Sequence, residues 1–217
     1  MKTKTTLIII FVLFAASLAF GFLIAPQMPE TIVTHWNAAG EGDGYGSRQG
    51  HILFMPLMTL GLSLLILFLP KIDPLRGNIE HFRDDYNRYV VVFAAFMTYI
   101  YMLTNLWNLG LKFNMTGMVT AAIGVLFIFT GTLLSKAKRN YFIGIRTPWT
   151  LYSDSVWNAT HRLGGKLFMA SGVIALLALI VPRFAIFLLL VPVLGASLIA
   201  VVYSYILFRR ETNEKNS

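Results

Sequence analysis

Six apolar blocks alternate with polar segments of very unequal length along this chain of 217 residues. The blocks cover residues 5–25, 52–69, 89–109, 115–135, 166–181 and 184–208. A hydrocarbon core about 30 Å thick needs roughly 20 apolar residues at about 1.5 Å of helix rise each. The pattern therefore predicts an all-α integral membrane protein with six transmembrane helices embedded in a lipid bilayer. No Asp, Glu, Lys, Arg or His falls deep inside any block. Such groups usually mark proton relays and ion pathways, so an ion-coupled pump is not expected. The first block follows Lys2 and Lys4 and holds a passable cleavage site at Ser17-Leu18-Ala19. It is long for a signal peptide and reads as an uncleaved anchor.

The connections carry a second pattern. Residues 110–114 and the pair Pro182-Arg183 leave room only for tight turns, so the third and fourth blocks, and the fifth and sixth, form antiparallel hairpins. Asn105 and Asn108 near the end of the third block are placed for hydrogen bonding between helices. Gly117, Ala121, Gly124 and Gly131 recur on one face of the fourth, which predicts close packing against a neighbouring helix. Three polar segments are longer: 26–50, 70–88 and 136–165. They divide the chain into an N-terminal two-span unit, residues 1–70, with a structured outer loop 26–50, and a four-span unit, residues 71–217, with an inner loop 136–165.

Composition supports the membrane assignment: 56% of residues are hydrophobic, 13% are charged and the mean hydropathy is +0.66, against roughly a quarter charged in a soluble domain. The absence of cysteine removes thiol nucleophiles, thiolate metal sites and disulfides. Charge sets the orientation. With both termini cytoplasmic, 15 of the 18 basic residues face inward and only Arg48, Lys112 and Arg183 face outward. Seven acidic residues share the inner side and three the outer, so the whole net charge of +8 lies on the inner face. Attraction to anionic lipid accounts for a basic pI without direct nucleic-acid binding.

The outer loop opens with Pro26 and Pro29, continues through strand-like Thr31 to Trp36, and then places four Gly between positions 40 and 46. His35, Trp36, Asn37, Asp43, Tyr45 and Arg48 are its candidate ligand-binding residues. His35, Asp43 and His51 are residue types that ligate metals, but their spacing matches no zinc signature. The expectation is no metal and no cofactor, with these side chains holding the loop together. The inner segment runs Asn140-Tyr-Phe-Ile-Gly144-Ile-Arg146-Thr147-Pro148-Trp149-Thr150, followed by Trp157 and His161. Pro148 forces a turn and Ser153 is placed to cap a short helix on which Trp157 and His161 share a face. Arg146 beside Trp149 suits stacking or the grip of an anion. The segment divides between a structural lock with interfacial tryptophans and a recognition surface. Residues 71–88 carry four basic and four acidic residues and read as a solvated amphipathic face. There is no Walker loop, His-Glu-x-x-His or Gly-x-Ser-x-Gly, so nothing points to an enzyme.

The Asn140 to Leu151 segment, with Trp157 and His161 after it, resembles the SdpI-type family of bacterial membrane proteins. Residues 26–48 resemble the short domain of unknown function that commonly precedes that motif, through Pro29, His35, Trp36, Asn37, Gly40 and Tyr45. Arg48 stands where Lys is the commoner residue. The resemblance implies bacteriocin immunity: a six-span plasma-membrane protein that protects its producer from a secreted antimicrobial peptide met by the outer loop. It also implies capture of a small cytoplasmic repressor by the inner loop. The alternative from another class is a transporter or intramembrane enzyme acting on a lipid or peptide.

Overall fold

The computed structural model describes residues 1–216; the Lys215 side chain, counted above among the inward-facing cations, lies outside what is described. Six long helices match the six blocks: α1 (Thr3–Ile24), α2 (Arg48–Phe68), α4 (Arg83–Asn108), α5 (Met115–Lys136), α7 (Asp154–Leu176) and α8 (Ala185–Asn216). Short helices α3 (Arg76–Glu80) and α6 (Pro148–Tyr152) interrupt the two longer connections on one side. Strands β1 (Thr31–Trp36) and β2 (Gly42–Ser47) form an antiparallel hairpin on the other. The side carrying the strands is called the hairpin face below, and the opposite one the motif face.

Side-chain caps set several of the helix starts, because the first turn of a helix has amide groups without intrahelical partners. Ser47 accepts from Gly50 N–H and starts α2, Asn114 accepts from Gly117 N–H and starts α5, and Ser153 accepts from Val156 N–H and starts α7. The last cap corrects the sequence reading. Beyond Ser153 the helix does not end after a short interfacial piece; it runs unbroken to Leu176. The inner loop therefore stops at Ser153, and Trp157 and His161 occupy the first turns of a membrane helix.

The small-residue face of α5 packs within this chain, against α7. A Cβ added to Gly124 would lie 2.6 Å from Gly172 O, and one on Gly131 would collide with Gly165 O. The two backbones come this close only because both sides lack side chains. On the motif face Ile10, Leu67, Ile79, Phe82, Tyr86, Val90, Leu133 and Trp157 form the main buried cluster. A smaller one of Ile24, Met28 and Ile32 seats the hairpin. Side chains such as Phe22, Phe187, Leu194 and Leu198 stay exposed on the flanks, as expected where lipid is the solvent. Two expectations fail at single residues. Asp73 is 2% exposed, so the 71–88 segment is not wholly a solvated face. Asn108 bonds not to another helix but to both the N–H and the carbonyl of Val33 in β1.

Candidate functional site

On the hairpin face, most of the polar residues singled out in the sequence build the loop. Asn37 closes the turn: its side-chain oxygen accepts from Ala39 and Glu41 N–H, its amide donates to Glu41, and its carbonyl accepts from Thr116 on α5. Gly40 takes the left-handed conformation that this turn requires (φ 83°). The glycines of β2 make room for β1, since a Cβ on Gly42 would stand 2.6 Å from Val33 and one on Gly44 2.7 Å from His35. Arg48 reaches back to the end of α1 and donates to the carbonyls of Ala25 and Met28 at 2.9 and 2.6 Å. Its guanidinium is a staple holding the loop's entry to its exit. His35 and Asp43 pair at 2.6 Å on the open surface, and Tyr45 is exposed.

The metal trio does not assemble. Among the described residues no three His, Asp or Glu side chains converge. His51 sits inside the bundle on α2, where its ring stacks on Tyr101 of α4 at 5.2 Å and 24°. Trp36 packs edge-on against Trp107 of α4 at 5.4 Å, and Lys112 lies 3.2 Å over the far ring. Trp36 and His51 both line a cavity of about 590 Å³ between the hairpin, α2, α4 and α5. Both Trp36 Nε1 and His51 Nε2 are buried without a partner.

The motif face is knotted together by its own side chains. Asn140 is fully buried and makes four bonds: its amide donates to the carbonyls of Lys138 and Ile143, and its oxygen accepts from the N–H of Phe142 and Ile143. Gly144 (φ 127°) turns the chain past the imidazole of His161, where any Cβ would strike Nε2. Ile145 N–H donates to His161 Nε2 at 2.9 Å, so the ring proton sits on Nδ1, which donates to Trp157 O at 2.8 Å. The indole of Trp157 stacks on that ring at 3.9 Å and donates to Ala137 O. Thr147 and Thr150 form a reciprocal capping box around Pro148, Thr150 also donates to Ile145 O, and Thr147 meets Ser204 of α8.

Arg146 and Trp149 part company. Arg146 is exposed and donates to Tyr141 O, whereas Trp149 packs edge-on against Tyr205 of α8 at 5.1 Å. The arginine, Trp149 and His161 are therefore three separate positions, with His161 buried behind the turn.

Several contacts that fasten this loop escaped the sequence reading. Asp73 accepts from Leu75 N–H and, across the face, from Tyr141 N–H at 2.8 Å. Asn78 donates to Arg139 O. Arg139 donates to Leu151 O and pairs with Asp154 at 2.9 Å. Ser153 donates to Glu211 of α8 at 2.6 Å. Only Asp73 left a signal, as an acid directly before the turn-favouring Pro74-Leu75; the other contacts depend on helix packing.

Six membrane helices, a capped hairpin on one face and a self-bonded Gly-Ile-Arg-Thr-Pro-Trp turn on the other make this a polytopic membrane protein. Residues 136–206 match the SdpI/YfhL protein family, and residues 12–60 match a domain of unknown function, DUF1648. The chain is 24% identical over 204 residues to "Immunity protein SdpI" of Bacillus subtilis (strain 168), covering 94% of this chain and 96% of that protein. No solved structure matches it.

Proposed function

We propose that this protein is a non-enzymatic immunity protein that protects its cell from a secreted killing peptide. The observation that carries this reading is the alignment with an immunity protein over nearly the full length of both chains. Both termini and the motif face lie in the cytoplasm, because 15 of the 18 basic residues then sit on the inner side. The hairpin face is thereby the side a secreted peptide meets first, and the N-terminal unit, residues 1–70, supplies most of it. His35, Asp43 and Tyr45 offer polar and aromatic contact there. Asn37 and Arg48 serve by holding the surface rigid rather than by touching the peptide.

The four-span unit, residues 71–217, carries the finer part of the proposal. Its motif turn is a preformed surface on which a small cytoplasmic repressor is held at the membrane. Arg146, exposed beside the buried knot of Asn140 and His161, is the residue placed to grip an acidic partner, since a guanidinium forks onto carboxylates as Lys cannot.

Survival of a sensitive strain challenged with the killing peptide tests the reading. Cells expressing the protein should survive doses that kill cells carrying an empty vector; equal killing would refute immunity. The orientation has its own check. With no native cysteine, Ala39→Cys should react with an impermeant thiol reagent in intact cells, and Lys138→Cys only after lysis. The opposite order would invert the topology.

A further inference from the structure

Two cavities at the root of the hairpin share two of their lining residues. The outermost, of about 370 Å³, is lined by Glu30, Thr31, Ser47, Arg48 and Gln49. The deeper one, of about 260 Å³, is lined by Phe22, Ala25, Ile52 and Leu53 together with the same Arg48 and Gln49. The first is polar throughout, whereas the walls of the second are apolar apart from the shared pair. The change of character falls where α1 ends and α2 begins, at Ile24 and Arg48, which is the membrane boundary on the hairpin face. Phe22 and Leu53 are 59% and 46% exposed, so the deeper slot opens sideways to hydrocarbon.

The charges at this junction are within reach and only partly used. Arg48 lines both cavities, and its bonds to the carbonyls of Ala25 and Met28 both leave from Nη1. A guanidinium has three further N–H groups, on Nε and Nη2, and neither of those nitrogens is sealed in without a partner. Glu30 and Gln49 are exposed, and Glu30 enters no ion pair among the described residues.

A cation and an anion at the boundary, with an apolar slot directly beneath them, match the plan of a zwitterionic phospholipid. Its phosphate suits the guanidinium fork. A primary ammonium, with three N–H donors, suits the carboxylate, and an acyl chain fills the slot. An anionic headgroup would answer Arg48 but be repelled by Glu30, and a soluble ligand would leave the hydrocarbon-facing slot unused.

We propose that the hairpin root binds one phospholipid of the ethanolamine class, with its phosphate on Arg48, its ammonium on Glu30 and an acyl chain against Phe22, Ala25 and Leu53. The site ties the loop to the bilayer and is independent of the immunity reading. The chain has no cysteine, so Gln49→Cys puts a single thiol where the two cavities join. The protein is reconstituted in vesicles of palmitoyl-oleoyl phosphatidylcholine, alone or with an equal part of phosphatidylethanolamine or phosphatidylglycerol, and labelled with a small impermeant methanethiosulfonate. Phosphatidylethanolamine should slow labelling at least threefold and phosphatidylglycerol should not, because choline lacks an N–H for Glu30 and glycerol lacks the positive charge. Labelling of Ala39→Cys, at the tip of the hairpin, should be the same in all three lipids.

Glu30→Lys should reverse the preference, so that phosphatidylglycerol protects and phosphatidylethanolamine no longer does, an outcome that loss of fold cannot mimic. Should that variant fail to fold, Glu30→Gln must lose the protection by phosphatidylethanolamine. Ala25→Phe, which fills the slot, should abolish it as well. Equal labelling in phosphatidylcholine and phosphatidylethanolamine, or protection that survives Glu30→Gln, would overturn the site. Equal protection by phosphatidylglycerol in the unaltered chain would make it an anion site and contradict the zwitterion. Protection by soluble glycerophosphoethanolamine, which has the headgroup without the chains, would contradict the role of the slot.

Discussion

Trp157 with His161 on the motif face, and Trp36 with His51 on the hairpin face, are the same two residue types put to opposite use. In the first pair every ring nitrogen is committed: the indole donates to Ala137 O, and the imidazole bridges Ile145 N–H and Trp157 O. In the second pair Trp36 Nε1 and His51 Nε2 are left over beside a cavity. A buried polar network that is fully satisfied rigidifies its surroundings, and one that is not carries the cost of its unpaired groups. The comparison teaches that residue type alone did not show which pair is locked; the hydrogen bonds show that the one on the motif face is.

That assignment is broken most forcibly at Asn140. Asn140→Ala would strand four part-buried backbone groups, some of which water can reach, so it should cost about 2–4 kcal/mol, at roughly 1–3 kcal/mol for each group left unsatisfied. Unfolding in detergent micelles should register this, and a loss below about 1 kcal/mol would mean that the knot is not rigid. Gly144→Ala forces a left-handed backbone and a collision with His161 together; about 2–3 kcal/mol is expected from the strain. Neither variant should alter the labelling of Ala39→Cys on the hairpin face.

The hairpin face should respond more mildly, because its ties lie at the membrane boundary. Arg48→Ala removes two charge-assisted bonds to Ala25 and Met28 and should cost about 2 kcal/mol. Arg48→Lys should recover part of that, since one ammonium can still reach a carbonyl. The smallest effect is expected for Asp43→Asn. Its pair with His35 is open to solvent on both sides, and such pairs contribute less than about 1 kcal/mol. A loss of stability well above that would show the hairpin surface to be structural rather than free for contact.

Much of this was legible in the sequence. Apolar length located all six spans to within a few residues at most ends, and the glycines of the fourth block marked the face that α5 turns to α7. The largest departure was the start of α7, where Asp154, Asn158, His161 and Arg162 made the chain too polar to be counted as span; α4 also starts earlier and α8 ends later than its block. Helix continuity there depends on the Ser153 cap and on burial of Trp157 and His161 against Gly144, neither of which a hydropathy window registers. The second strand was also hidden, because Gly-Asp-Gly-Tyr-Gly-Ser has poor strand propensity. It forms because its glycines leave space for the side chains of β1. Both site segments were visible as polar, aromatic-rich interruptions. His51 was noticed only as a metal candidate, because the cavity beside it is made by four elements distant in sequence.

The central claim is that recognition of the peptide belongs to the hairpin face while Arg146 serves a separate cytoplasmic contact. Dose–survival curves for Trp36→Ala and Arg146→Ala, compared at equal abundance in the membrane, test it most directly. Trp36→Ala should shift killing to doses at least tenfold lower, and Arg146→Ala should match the unaltered protein. Full protection by Trp36→Ala together with loss of protection by Arg146→Ala would contradict the account.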